Sequence, residues 1–460
     1  MDTKEFLNSV CQEIKYKPVR KGIAEELENH IQEIKENYIT EGMQELEAEE
    51  KAVAQMGVAQ DIGKKLNKVH RPKLDWKLLL ITCILIFFGG LVEIIRANNV
   101  LENYDIKRDI VRYVFFLGLG IIPSIVIYFI DYKKIKKYSN VIYVIATLGI
   151  FFALFFGESI NGRPYLYFNI FTIAPQVIAL PLYIIAFVGF INDFNRESKL
   201  KSIILKYTNK EININFNLLK IVILSVFSLM LLASIPSIAS ALILVLTYLI
   251  IATIKIIQSD KDKVKNLIKL WGTMVIIGFF VLTILISGSD YRLDRLTVAF
   301  NPESDPQGVG WAAVNREVII KNARMYGEAK DTSYAINVFD EGTDYAFISV
   351  IAHYGWVAGI LIVTAIILFS FKLIFNAIKI KEIYGKFLII GLSSMFIFQS
   401  IFNIFMNLNL LVESGFNLPF ISYGIGNLVV NIISLGTILS VYKRKDVYMF
   451  EGNEVNTLER

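Results

Sequence analysis

Two hydropathy patterns meet near residue 75. Before it, apolar positions recur at steps of three and four within charged sequence. In RKGIAEELENHIQEIKENYI, Ile23, Leu27, Ile31 and Ile34 make one stripe, the spacing of an amphipathic helix packed on a single side. Gly42 and Gly57 fall where helix ends favour glycine, and ELEAEEKAVAQM between them predicts another short helix. After Trp76 the pattern becomes apolar runs of about 20 residues separated by charged connections, the length a helix needs to cross a bilayer. These runs predict about ten spans, near 76–96, 110–130, 140–157, 170–191, 217–235, 236–256, 269–287, 346–371, 386–411 and 420–441, the fifth and sixth hinged at SIPSIAS.

Charge orients this bundle. DYKKIKKY, NRESKLKSIILKYTNK, KIIQSDKDKVKNLIK, FKLIFNAIKIKEIYGK and YKRK all fall on one side of a ten-helix count, which the positive-inside rule makes cytoplasmic. The fold class expected is therefore all-α: a polytopic membrane protein with a small cytoplasmic helical domain before it. Residues 1–75 form that domain, 76–445 the membrane domain, and 446–460 a cytoplasmic tail. No signal peptide is expected, because the first 30 residues are charged where an apolar core would lie, and both termini are expected in the cytoplasm. The long external segment 288–345 carries interspersed aromatic and apolar residues, so it is expected to fold onto the membrane surface.

Composition agrees with this picture and narrows the chemistry. The 460 residues are 54% hydrophobic and 19% charged, with a mean hydropathy of +0.51, and the bilayer is their main solvent. Two cysteines, Cys11 and Cys83, offer neither a disulfide framework nor a thiolate site. His30, His70 and His353 lack the spacing of ligands on one helix face, so no metal site is assigned. Neither a P-loop nor a dinucleotide or RNA-binding signature occurs, and no nucleic-acid partner is expected.

The C-terminal sequence NIFMNLNLLVESGFNLPFISYGIGNLVVNIISLGTILSVYKR (403–444) resembles the closing signature of the SEDS family of cell-shape and cell-division membrane proteins, keeping Leu418, Pro419, Phe420, Ser422, Tyr423 and Gly424. NPESDPQGVGW (301–311) and GTDYAFISVIAHYGWVAG (342–359) resemble two further family segments in the same order. Two departures stand out. Ala174, Pro175, Gln176, Val177 and Leu180 replace a family Gln-Pro-Ser-Glu and a following Lys, and His353–Tyr354 replace a Glu-Glu pair. Residues 19–57 are similar to helical prefix modules that precede permease-like membrane proteins, which implies regulation or partner contact.

The resemblance implies a peptidoglycan glycosyltransferase that polymerises lipid II, a disaccharide-pentapeptide on undecaprenyl pyrophosphate, beside a class B penicillin-binding protein. Elongation, division and sporulation are all open. It makes Asp344 the base that takes the acceptor hydroxyl proton, with Thr343 beside it. It also implies substrate contacts from Arg292, Arg295, Asn403, Ser422, Tyr423 and Gly424. No cofactor is required, and a divalent cation is left open.

Position adds its own argument. A lipid-linked sugar reacts within a few Å of the interface, and Asp344 stands where an acidic loop meets an apolar run. Partial burial beside Tyr345 and Phe347 is expected to raise its pKa towards that of a useful base. The competing reading makes Asp344 a helix cap.

Other candidates also divide. Arg292 and Arg295 either meet pyrophosphate or snorkel at a helix end, while Arg316, Lys321 and Arg324 are further cations of the loop. Asp305 reads as a turn residue. Ser422–Gly424 either allow close helix packing or line a cavity, and the stripe Gln399, Asn403, Asn407 either bonds helix to helix or lines a lipid-sugar path. Glu93 and Arg96 predict an interfacial ion pair. A non-catalytic relative that binds lipid II or a division partner is the alternative, and a lipid-linked precursor flippase a third reading, disfavoured by the few ionisable residues within the spans.

Overall fold

A computed structural model describes residues 2–99, 106–160, 163–168, 171–193, 216–235, 238–259, 262–274, 301–330, 343–412, 415, 417–422 and 424–445. Contacts divide the chain into two units, one of Met1–Asp75 with Ile378–Lys386 and Leu439–Arg460, the other of Trp76–Ala377 with Phe387–Ile438.

In the first unit four helices, α1 (Thr3–Glu13), α2 (Arg20–Thr40), α3 (Glu45–Met56) and α4 (Ala59–His70), enclose one core. Asp2 starts α1 by accepting the Glu5 amide at 2.6 Å, a side-chain cap for one of the orphan donors of the first turn. The α2 stripe is buried as its spacing predicts: Ile23 and Ile31 lie inside with Phe6, Val10 and Ile14, and Leu27 and Ile34 pack at the margin. Each large buried side chain contributes about 1.5–3 kcal/mol. α3 coincides with ELEAEEKAVAQM and ends at Gly57. Close packing of α1 on α4 requires Gly63, because a Cβ there would lie 2.7 Å from Glu13 Cβ.

Glu49 of α3 ties this unit together. It accepts from the Thr3 hydroxyl at 2.7 Å and amide at 3.2 Å, and Lys35 bridges Glu45 at 2.9 Å and Glu49 at 3.4 Å. The Thr3 hydrogen bonds, and then Lys35, hold the Glu49 carboxyl below the ordinary carboxylate range. A depressed carboxylate contributes stability above its unfolded pKa and loses it as pH falls through the folded value. Protection of the α1 amides in the full chain should therefore hold down to about pH 5 and fall as the pH drops below about 4.3, the ordinary glutamate value, through the lowered folded one. Hydrogen exchange checks this, and in Glu49→Gln the pH response should vanish.

The second unit is a helical bundle. Nine helices among the described residues are long and apolar enough to cross a membrane. Three of them, Pro175–Asn192, Ile383–Asn407 and Gly426–Lys443, bury 61–78% of their spans, whereas Ile110–Phe129 buries 17% and turns Phe115, Ile122 and Val126 outward. Small residues set the closest approach: a Cβ on Gly436 would lie 2.8 Å from Ser124 Cα. The seventh expected span, 269–287, falls largely outside the described residues, which show helix over 263–274.

Two boundaries differ from the hydropathy reading. The run 346–371 is two helices, Ala346–Tyr354 and Trp356–Lys379, broken at Gly355. Gly355 has φ +85° and a Cβ there would stand 2.6 Å from Met325 O, so both backbone and space demand glycine. The segment before the fourth span carries an antiparallel meander, β1 (Glu158–Ile160), β2 (Arg163–Phe168) and β3 (Phe171–Ile173), with Ser159 opposite Pro164 and Tyr167 opposite Thr172. The fourth span accordingly begins at Pro175 rather than 170.

Candidate active site

Ile383–Asn407 delivers two fully buried asparagines, one turn apart on one face, to the start of Ala346–Tyr354. Asn403 Nδ2 donates to the backbone carbonyl of Asp344 at 2.9 Å, and Asn407 Nδ2 donates to the same oxygen at 3.1 Å. Asn407 also donates to Asn403 O at 2.8 Å, while its Oδ1 accepts the Ile348 amide at 3.3 Å. Buried amides of this kind must be satisfied, so the pair fixes the turn that carries Asp344. Of the two readings of the polar stripe, the structure shows helix-to-helix bonding for Asn403 and Asn407.

Thr343–Tyr345 form a 3-10 turn leading into the helix, whose N-cap is Tyr345 and makes no side-chain capping bond. Asp344 is therefore not the cap residue. Its side chain is half-buried, while Ala346 through Ala352 behind it are buried.

The helix Trp311–Asn322 packs against this element through Ala312, Ile319, Ile348 and Ala352. Arg316 on it is only 3% exposed, donates from Nε to Asn409 Oδ1 at 2.8 Å, and sets its guanidinium 5.5 Å from the Tyr345 ring centroid. Asn409, at φ +57°, returns a bond from Nδ2 to Ala313 O at 2.8 Å. The chain after Asn322 runs along the far end of the same helix, with Ala329 N donating to Ala352 O at 2.8 Å and Trp356 N to Arg324 O at 2.9 Å. Residues 301–330 are thus folded, and a buried cation stands beside the residue that follows Asp344.

The remaining candidates separate. Asp305 is a turn residue, its carboxylate accepting the Gly308 and Val309 amides at 3.1 and 2.8 Å. Lys321 pairs with Glu317 within its own helix, and Arg324 is exposed. Ser422 Oγ is buried and accepts the Leu418 amide at 2.7 Å, holding the turn whose Phe420 packs on Phe369 and Phe396. Gly424 is crowded by Asn417 and Asn427, a Cβ falling 2.7 Å from Asn417 Nδ2. Where the family has acidic and basic groups, Gln176 is buried and His353 Nδ1 stands 2.9 Å from Ser349 O. Arg292, Arg295, Tyr423 and the side chains of Thr343 and Arg96 lie outside the described residues. Sequence reasoning missed Asn409, whose partners are 93 and 96 residues away.

These features define a polytopic helical membrane protein in which two buried asparagines hold the backbone of the turn that carries Asp344. The family model for FtsW/RodA/SpoVE cell cycle proteins matches residues 76–446, and the chain belongs to that family. The match begins where the membrane domain begins. The chain is 25% identical over 346 residues to a probable peptidoglycan glycosyltransferase FtsW of Buchnera aphidicola, covering 74% of this chain and 90% of the relative. It is 24% identical over 373 residues to stage V sporulation protein E of Bacillus subtilis, covering 79% and 96%. Among solved structures, a chain of a peptidoglycan synthase complex aligns with a TM-score of 0.60 at 16% identity, over 82% of this chain and 99% of that one. RodA of Thermus thermophilus aligns with a TM-score of 0.53 at 16% identity, over 81% and 97%.

Proposed function

We propose that this chain is a peptidoglycan glycosyltransferase that polymerises lipid II, with Asp344 as its general base. The observation that carries the residue assignment is the pinning of the Asp344 turn by Asn403 and Asn407, which spends two buried side chains on the placement of one carboxylate. The names of its relatives support the reaction class.

In this reading the acceptor sugar's hydroxyl oxygen attacks the donor's anomeric carbon and its proton passes to an Asp344 carboxylate oxygen. The bond from that carbon to the lipid pyrophosphate breaks, and the pyrophosphate leaves with the electron pair. It needs no strong acid, so one base is the minimum equipment. Arg316, held beside Tyr345, contributes positive field at the same turn. Arg292 and Arg295 are assigned to the pyrophosphate by sequence position, and Thr343, Ser422, Tyr423 and Gly424 to the surrounding cavity. Asn403 is better described as a positioning residue, since it is fully buried against the Asp344 carbonyl.

The Lys/Arg-rich connections support a cytoplasmic side for residues 131–138 and 442–445 and an outer side for Asp344. A class B penicillin-binding protein is the proposed crosslinking partner, a reading supported by the similar chain's place in a peptidoglycan synthase complex that coordinates polymerization and crosslinking. The helices before Asp75 are assigned to regulation or partner contact.

The test is polymerisation of labelled lipid II by the purified full chain, with and without that partner and with and without a chelator. Glycan strands are expected from the wild type, and a chelator-sensitive rate would add a divalent cation. Lipid II binding without strands would overturn the glycosyltransferase and leave a binding relative.

A further inference from the structure

Where three membrane helices meet at their ends, they leave a cavity of about 340 Å³. Ser139–Phe156 and Phe216–Ser234 begin there and Pro175–Asn192 ends there, so the cavity lies at the depth of lipid headgroups. Lys133, Lys136, Lys137 and Lys220 line it, and Asp193 is the single carboxylate among the described lining residues. Four cations less one anion leave a formal charge of +3.

The site is built by specific packing. Gly189 has no room for a Cβ because the Ser139 side chain occupies that space, which brings the helix ends together. Lys136 neutralises Asp193 at 3.2 Å, and Asn217 Nδ2 holds Asp193 O at 3.1 Å. Lys220 bridges to Asn140 Oδ1 at 2.7 Å and lies over the Phe190 ring at 4.7 Å, which fixes its ammonium at the rim. Lys137 is exposed at the same rim.

We infer that this cavity binds the phosphate of an anionic phospholipid from the adjacent leaflet. Phosphate is the anion that fits a ring of ammonium groups at headgroup depth, and basic pockets between membrane helices take such headgroups. The lipid source is favoured over soluble phosphate by what borders the cavity: within a turn, Val141, Val144, Leu219 and Val222 are about half-exposed and apolar, a surface for acyl chains that a free anion would not use.

Native mass spectrometry of the full chain released from mixed micelles of equal phosphatidylglycerol and phosphatidylcholine tests this without reference to polymerisation. Phosphatidylglycerol should be retained roughly thirty-fold over phosphatidylcholine, about fivefold for each of the two rim lysines. Lys137→Gln/Lys220→Gln should bring the two lipids to parity, and Lys137→Gln alone should remove about fivefold. Lys263→Gln/Lys265→Gln, which removes the same charge elsewhere, should keep the preference. Preference surviving in the rim variants, or lost equally in the control pair, overturns the site. Displacement of the lipid by low-millimolar inorganic phosphate overturns the lipid assignment in favour of a soluble anion.

Discussion

Asp344→Asn should lower the turnover of lipid II polymerisation by two to four orders of magnitude, the usual contribution of a positioned acid or base. The substitution is nearly isosteric, and the atom that Asn403 and Asn407 hold is the backbone carbonyl, which it leaves in place. The half-buried side chain is not the helix cap, so stability should change by no more than about 0.5 kcal/mol. An amide accepts no proton at neutral pH, and the loss should fall on kcat with lipid II binding retained. Single-turnover polymerisation with a parallel binding measurement checks both. An unchanged rate would remove Asp344 from the chemistry, whereas a rate lost together with binding would make it a substrate contact instead.

The spans were legible because bilayer thickness imposes a length on apolar runs that no other constraint imitates. Register inside a run was not. Nothing in hydropathy separates Ala352 from Val357, and the break at Gly355 arises because residues 324 and 325 present their carbonyls to it from a segment about 30 residues earlier in the chain. The meander at 158–173 has a local signal in Asn161-Gly162 between alternating residues, in a stretch that the hydropathy reading treats only as a connection between the third and fourth spans.

Side-chain partnerships divide in the same way. The i, i+4 recurrence of Asn403 and Asn407 showed a polar face that must avoid lipid. Their shared acceptor, 59 and 63 residues away, is a tertiary fact that no local pattern contains. Arg316 read as one loop cation among several until folding buried it beside Tyr345. Resemblance to the family singled out Asp344, and the packing explains how a residue in a connecting turn acquires a fixed position.

That explanation makes Asn407 the residue through which placement should fail. Its side chain engages both sides of the turn, donating to Asp344 O at 3.1 Å and accepting from Ile348 N at 3.3 Å. Asn407→Leu keeps the volume but strands the Ile348 amide in a dry site, which costs about 1–3 kcal/mol. Asn403 still holds the Asp344 carbonyl, so the bundle should fold and the turn should loosen. A displacement of about 1 Å in a reacting group costs on the order of a hundredfold in rate. A lower thermal midpoint alone would reflect stability, and the decisive measurement is a double-mutant cycle. If Asn407 acts by placing Asp344, then Asp344→Asn/Asn407→Leu should polymerise no more slowly than Asp344→Asn alone, because the placed group has already been removed. Fully additive losses would mean that Asn407 supports the site by another route.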